Sequence, residues 1–257
     1  MIKASVKMGV FVLIFGFLCS SVSAAVIEKL IDFESPTYAT GDLNGQNNWS
    51  APSSDHQVQT TDVLSGAQSA SSGVAGASSY ATLPLSQENL NFADGYSISY
   101  LVKMENKSYG IVQLDCKTGV NTYDAYIQVL HDARLSTTDR VKVNGVYVGG
   151  AGYFKDGEIH KITLTLDFTN QNVDVVIQEI SGDNPGNVVS ADNIAFSASA
   201  SPESAKEGQF KLRSAYLYNN VRGIQVVDDI TFTAVPEPAT IGLIGMGIGS
   251  LSLFRKN

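Results

Sequence analysis

Four carboxylates near the two ends of the central part of the chain are the residues best suited to metal chemistry. Asp32 and Glu34 end the first apolar run, and Asp228 and Asp229 open the last one. Hard carboxylate oxygens suit Ca²⁺, and they would meet if the first and last strands are neighbours. We therefore predict a structural Ca²⁺ site at these four acids and no other cofactor. The alternative is that the acids cap strands or face water.

Three aromatic residues are candidates for sugar binding, because sugar rings stack on exposed aromatic faces beside polar groups. Trp49 lies in an Asn-rich stretch, and Tyr147 and Tyr153 flank the glycine-rich residues 149–152. The competing interpretation of Trp49 is a packing anchor beneath its loop.

The sequence shows no catalytic motif, and we predict that the protein is not an enzyme. A retaining glycosidase needs two carboxylates about 5 Å apart, and acids on alternate residues of one strand can supply them. Asp32 and Glu34 alternate in this way, but the sequence contains no Glu-x-Asp-x-x-Glu run, in which a third acid follows the alternating pair. His56, His131 and His160 are scattered, and His160 is interpreted as a satisfied histidine at a strand edge.

Charge and cysteine content exclude further classes. The chain has 17 Lys and Arg against 25 Asp and Glu, a net charge of −8. An acidic surface repels phosphate backbones, so no nucleic-acid partner is expected. Cys116 alternates with Val112 and Leu114, which predicts an inert thiol in the core.

Period-two alternation of apolar and polar residues dominates the middle of the chain. It is clearest from residue 160 to 168, where His160 and every second residue after it are predicted to face inward. Asn144-Gly145 predicts a hairpin turn, since both residues tolerate positive φ. About a dozen short strands predict an all-β fold, a two-sheet antiparallel sandwich. The segments 65–79 and 197–208, rich in small and polar residues, are predicted to be surface loops.

Three short motifs resemble those of secreted concanavalin A-like or laminin-G-like jelly rolls. They are Asp32-Phe33-Glu34 followed by GDLNGQNNW at 41–49, GEIHKITLTLD at 157–167, and DDITF at 228–232. Ile159 stands where these families usually have an aromatic residue. The resemblance implies a jelly-roll domain over residues 25–234, and an enzyme of this kind would be a laminarinase-type glycosidase.

The N-terminus has the features of a secretory signal peptide. Lys3 and Lys7 precede an apolar run over 8–18, and small residues lead to a cleavage point between Ala24 and Ala25. Residues 1–24 are therefore predicted to engage the Sec translocon and signal peptidase. Lipidation at Cys19 is the weaker alternative, because bulky residues precede it.

The C-terminus combines a rigid polar motif, an apolar run and a basic end. The motif consists of Val235, Pro236, Glu237, Pro238, Ala239 and Thr240, and the basic end of Arg255 and Lys256. The apolar run over 241–254 is shorter than the roughly 20 residues of a comfortable membrane span, and the two cations would stop it on the cytoplasmic side.

This order resembles the PEP-CTERM sorting signal of Gram-negative bacteria, over residues 235–257. The resemblance implies processing by an exosortase, transient anchoring in the inner membrane by a short transmembrane helix, and delivery to the cell surface or beyond.

Together these features predict an exported, non-enzymatic surface or matrix protein that associates with extracellular polysaccharide. Two alternatives remain. A polysaccharide-active enzyme would place clustered carboxylates in an open groove, and a structural coat protein would have neither a groove nor an aromatic platform.

Overall fold

The computed structural model describes residues 25–51, 54–73, 79–107, 109–133, 140–213 and 223–234. Strands dominate these residues, together with a 3-10 turn at Leu85–Gln87 and a short helix, α1, at Pro202–Lys206. The strands in chain order are β1 (Val26–Ile31), β2 (Gly41–Asp42), β3 (His56–Gln59), β4 (Ser69–Ser72), β5 (Tyr80–Pro84), β6 (Ser97–Glu105), β7 (Tyr109–Gly119), β8 (Thr122–Asp132), β9 (Arg140–Val143), β10 (Val146–Val148), β11 (Ile159–Asp167), β12 (Asn172–Ser181), β13 (Val188–Ala195), β14 (Gln209–Arg213) and β15 (Ile224–Ala234).

The strands form two antiparallel sheets. The large sheet has nine strands in the order β13-β12-β11-β6-β15-β4-β3-β2, with β1 also paired to β15. The small sheet has six strands in the order β10-β9-β8-β7-β14-β5. Neighbours such as β6 and β15 are distant in sequence, so the chain crosses repeatedly between the sheets. The predicted all-β jelly-roll sandwich is confirmed.

The core lies between the sheets and is built by alternation along the strands. On β11, His160, Ile162, Leu164 and Leu166 are all fully buried, as the period-two pattern predicted. Cys116 of β7 is a buried free thiol, and burial raises its pKa. Both observations agree with the sequence analysis, because alternate residues of a strand face opposite sides.

The predicted hairpin joins β9 to β10. Asn144 and Gly145 adopt positive φ angles of 45° and 92°. The Asn144 amide also donates to the carbonyls of Tyr126 and Ala195, both at 2.9 Å, so this turn ties the small sheet to the end of β13.

Both predicted loops contain regular structure, and these two predictions were wrong in part. Within 65–79, β4 is a buried strand between β3 and β15, where the hydroxyls of Ser69 and Ser72 bond to Asp228 and to the Gln225 carbonyl. Within 197–208, Ser201 caps α1. Small polar residues carry weak strand or helix signals, and here tertiary partners override them.

The two ends of the chain lie outside the described residues. This applies to the predicted signal peptide over 1–24 and to the predicted sorting segment over 235–257. No helix in the described part is long and apolar enough to cross a membrane.

Candidate functional site

Side chains on the outward side of the small sheet form a row that crosses every strand of that sheet. The row begins at Tyr80 on β5 and ends at Tyr147 on β10. In register between them lie Arg213, Ile111, Leu130 and Lys142. Adjacent strands are about 4.8 Å apart, so the row is roughly 24 Å long. We call this side of the small sheet the outer face.

A second row on the outer face is a chain of hydrogen-bonded polar groups. Lys211 forms an ion pair with Asp115. The side-chain amide of Gln113 also donates to Asp115 Oδ1, at 2.6 Å. Gln128 in turn donates to Gln113 Oε1 at 3.2 Å. Asp115 is only 1% exposed. Because each group holds the next, these donors and acceptors are fixed in direction before any ligand arrives.

Tyrosines at both ends of the first row carry cations over their rings. The Arg140 guanidinium lies 4.1 Å from the ring centre of Tyr147, which is 54% exposed. At the other end, Lys211 and Arg213 lie 5.5 Å from the ring centre of Tyr80. Such contacts are attractive and steady the ring orientation. Tyr80 also borders an open cleft of about 610 Å³.

The outer face has the opposite charge balance from the chain as a whole. Among the described strand residues its cations are Lys117, Arg140, Lys142, Lys211 and Arg213, and its acids are Asp115 and Asp132. The chain carries a net charge of −8. A basic strip on an acidic protein attracts anionic ligands to that strip.

The structure separates the three aromatic residues predicted from the sequence. Tyr147 lies on the outer face. Trp49 is 2% exposed, and its ring packs against Phe33 and Phe210 at centroid distances of 6.2 and 6.3 Å. A sugar-stacking role does not fit this burial, and Trp49 is the packing anchor of the competing interpretation.

Tyr153 lies away from the outer face. Its hydroxyl contacts the carbonyls of Ile177 and Asn187, at 3.1 and 2.9 Å, so it is bound to the large sheet and the loop after β12. The ring therefore has a structural role in that region.

Sequence reasoning missed Tyr80 and the polar chain around Asp115. The alternation of Gln209, Lys211 and Arg213 with buried Phe210 and Leu212 was the available signal. It indicates a polar, basic strand face, but not which other strands lie beside it.

Three of the four predicted calcium ligands, Asp32, Glu34 and Asp228, accept hydrogen bonds from protein donors through their carboxylates. Asp228 is buried and accepts from Ser69 Oγ at 2.6 Å and from the Ser65 amide at 3.1 Å, and burial raises its pKa to about 7. Glu34 accepts from the amides of Ala67 and Gln68 at 2.6 and 3.0 Å. Both carboxylates thus hold the segment that leads into β4.

The other two acids have local roles. Asp32 accepts from the Glu34 amide at 3.1 Å, and the Asp229 amide donates to Asp228 at 2.9 Å. Pairing of β1 with β15 does bring the first and last strands together. Among the described residues, these acids do not place three ligand atoms within 4.8 Å of one another. The Ca²⁺ site stays a prediction.

Calcium is expected to raise the melting temperature if these acids hold it. At 100 times the dissociation constant, a ligand that binds only the folded state stabilises it by about 2.7 kcal/mol. The measurement is thermal unfolding in CaCl₂ and in excess chelator, with Asp228→Asn as the test variant. Identical melting curves under both conditions would contradict the site.

Among the described residues, one serine–histidine contact could suggest nucleophilic catalysis. Its hydrogen bonds do not follow the order of a catalytic triad. Ser79 Oγ lies 3.2 Å from His56 Nε2 and also 3.2 Å from Asp55 Oδ2. In a catalytic triad the carboxylate must orient the histidine, whereas here it contacts the serine. Burial also lowers the pKa of His56 to about 4, which makes it a weak base at neutral pH.

Solved structures with a similar arrangement include three carbohydrate-related proteins. Lectin II from Ulex europaeus is 10% identical with a TM-score of 0.47, covering 81% of this chain and 99% of its own. The carbohydrate esterase vb_24B_21 from Shiga toxin-encoding bacteriophage phi24B is 13% identical with a TM-score of 0.48, covering 83% and 100%. The CBM22-1 xylan-binding domain of Paenibacillus barcinonensis Xyn10C is 13% identical with a TM-score of 0.41, covering 84% and 99%.

These likenesses are too distant to indicate an activity, and the fold rests on the strand order and register. No curated protein matches the sequence. The family model for the PEP-CTERM protein-sorting motif matches residues 234–256. The chain therefore carries a PEP-CTERM protein-sorting motif at its C-terminal end.

Proposed function

We propose that this is an exported, exosortase-processed surface or matrix protein that associates with extracellular polysaccharide through the outer face. The observation that carries the proposal is the row from Tyr80 to Tyr147 with the fixed polar chain beside it. The PEP-CTERM motif supports export and sorting. In this proposal residues 1–24 are the signal peptide, 25–234 the binding domain and 235–257 the sorting segment, and the protein has no catalytic role.

The chemistry of the outer face favours a long, anionic sugar chain. A row of about 24 Å is longer than a single sugar and suits an extended polymer. Aromatic rings at its ends offer stacking surfaces, and amides and cations between them can bind hydroxyl and carboxylate groups. Since the buried Asp115 carboxylate holds the side chains of Lys211 and Gln113, ligand binding requires little further ordering of those two groups.

Replacing Tyr147 with alanine is expected to weaken polysaccharide binding about fivefold, which corresponds to about 1 kcal/mol of lost stacking. Lys142→Ala should weaken binding of alginate more than binding of uncharged dextran, and added salt should reduce the difference. The measurement is isothermal titration or affinity electrophoresis with the purified full chain. Tyr147 is exposed, so the variant should fold normally.

Lys161→Ala is the matched control, because Lys161 is an exposed cation on β11 of the large sheet. It should leave binding unchanged. Saturable binding that is unchanged in both Tyr147→Ala and Lys142→Ala would show that the ligand binds elsewhere on the protein. Absence of binding to either polymer would favour the structural coat protein.

The enzyme alternative has one specific observation in its favour. Glu158 and Glu179 lie together beside an open cleft of about 230 Å³. Both are almost fully buried and accept backbone amide hydrogen bonds. Hydrolysis of a polysaccharide that is lost in Glu179→Gln would support this alternative over a binding module.

A further inference from the structure

Three potential metal ligands meet at the end of the hairpin formed by β11 and β12. His160 and Glu179 are directly opposite each other in the register. Glu158 lies two residues before His160, just outside β11, and its side chain reaches the same place. One ligand atom from each residue lies within 4.8 Å of the others.

The histidine in this group is buried without a hydrogen bond. His160 is 0% exposed, and neither its Nδ1 nor its Nε2 atom has a partner. Nε2 lies 3.8 Å from Glu158 Oε2. The prediction of a satisfied edge histidine is therefore wrong. A buried polar atom without a partner is costly, and a bound cation would satisfy one nitrogen.

The surrounding backbone holds both carboxylates in place. Glu158 accepts from the Lys155 amide at 3.1 Å, and Glu179 accepts from the Asn184 amide at 2.6 Å. Gly182 packs so closely that a β-carbon there would lie 2.6 Å from Glu179 Oε1 and 2.7 Å from Glu158 Cγ. The loop after β12 thus packs directly against the two acids, and a side chain at residue 182 would clash with them.

The group has more negative than positive charge. The cation paired with it in the described part of the chain is Lys155, whose Nζ lies 3.9 Å from Glu158 Oε1 and also pairs with Asp183. Glu158 and Glu179 are only 7% and 2% exposed. Buried charges require compensation, and one lysine shared among three acids leaves a deficit that a divalent cation would remove.

We propose that Glu158, His160 and Glu179 form a Zn²⁺ site whose fourth position opens to the neighbouring cleft. One imidazole and two carboxylates are typical zinc ligands, whereas Ca²⁺ prefers oxygen ligands alone. Ligand atoms of a tetrahedral zinc site lie about 3.3 Å apart, so a small contraction of the group would complete the coordination.

The cleft gives solvent access to the proposed zinc position and leaves space for a water molecule as the fourth ligand. Glu158 and Glu179 line it, together with Tyr153, Asn184 and Asn187. Three protein ligands with one open position allow a water molecule to bind. None of the three proposed ligands belongs to the outer face, so loss of the site is expected to leave polysaccharide binding there unchanged.

The test is zinc binding to the purified full chain after treatment with a chelator and gel filtration. Equilibrium dialysis with ZnCl₂ should show one tightly bound equivalent, and zinc should raise the melting temperature. Glu179→Gln and Glu158→Gln, which keep the side-chain shape, should each weaken binding by roughly 10–100-fold. Co²⁺ should give visible absorption bands of a four-coordinate ion in the parent chain and lose them in both variants.

Asp174→Asn is the matched control, because it removes a carboxylate from the exposed side of the same strand, β12. It should bind zinc like the parent chain. Without metal, Glu179→Gln should melt at a higher temperature than the parent chain, because it removes a buried negative charge. Absence of a bound equivalent, or equal binding by the parent chain and both glutamine variants, would overturn the site and leave Lys155 as the counter-ion.

Discussion

Replacing Trp49 with alanine is expected to lower the free energy of unfolding by about 3–5 kcal/mol. The indole lies between Phe33, which follows β1 of the large sheet, and Phe210 on β14 of the small sheet. Its Nε1 atom donates to the Tyr38 hydroxyl at 3.3 Å. Alanine would leave a cavity between the two sheets and an unsatisfied tyrosine hydroxyl.

The neighbouring backbone makes the loss of Trp49 harder to accommodate. Ser50, the next residue, exchanges backbone hydrogen bonds with Thr82 of β5 at 2.8 and 2.9 Å. The Trp49 carbonyl accepts from the Gly45 amide at 2.9 Å. The loop before β3 is therefore held on both sides of the indole and cannot collapse freely into the cavity.

Urea denaturation of the full chain measures this effect, with Tyr147→Ala as the control. Both changes remove a large aromatic side chain, but Tyr147 is 54% exposed, so its loss should change stability by less than about 1 kcal/mol. If Trp49→Ala were as stable as the parent chain but no longer bound polysaccharide, the packing role would be refuted.

Lowering the pH from 7 to 4.5 is expected to cost about 2–3 kcal/mol of folding stability through His131 alone. Burial, reinforced by the nearby His160, lowers the pKa of His131 to about 3. The same side chain titrates near 6.5 when unfolded. Between these two pKa values, His131 therefore binds a proton in the unfolded state but not in the folded state. This stability is complete above pH 6.5 and is lost as the pH falls towards 3.

Among the described residues, no acid close to His131 stabilises its charged form. Its Nε2 atom lies 3.0 Å from the Tyr100 hydroxyl, and its Nδ1 atom lies 3.5 Å from the Gln225 amide nitrogen. The Phe154 ring stacks on it at 5.7 Å, and the Gly110 backbone contributes a weak opposing effect. Protonation would place a charge among neutral groups.

The measurement compares the parent chain with His131→Gln, which cannot titrate but can still bond to Tyr100. The stability difference between the two should shift by about 2–3 kcal/mol in favour of the variant between pH 7 and 4.5. His56 acts in the same direction, whereas the raised pKa of Asp228 gives stability at low pH that is lost as the pH rises through about 7. Both groups are present in both proteins, so their effects cancel. A pH-independent difference would contradict the assignment.

Local patterns in the sequence predicted the elements that depend on residues close together in the chain. The alternation beginning at His160 and the turn at Asn144-Gly145 were both correct. The strand Ser69–Ser72 was missed, because its small polar residues have no strand signal of their own. It forms because β3 and β15 pair with it on either side, and Asp228, 159 residues away from Ser69, accepts a hydrogen bond from the serine hydroxyl.

The candidate sites depended on register between distant strands. Tyr80 and Tyr147 share a row only because β14, β7, β8 and β9 lie between them in a fixed alignment. Glu179 faces His160 because the β11–β12 hairpin pairs them, and Glu158, two residues before His160, reaches the same place. No short motif encodes either arrangement.

The sequence by itself determined the sorting motif over 234–256, the all-β class, and the inward and outward sides of the longest strands. These follow from contiguous residues, whose polarity and backbone preferences act over a few positions. Only the tertiary structure decided which side chains meet: Trp49 in the core, Tyr147 at one end of the outer face, and His160 between two glutamates. Strand order and register arise from packing summed over both sheets, so the chemistry of the sites emerges only once the sandwich is assembled.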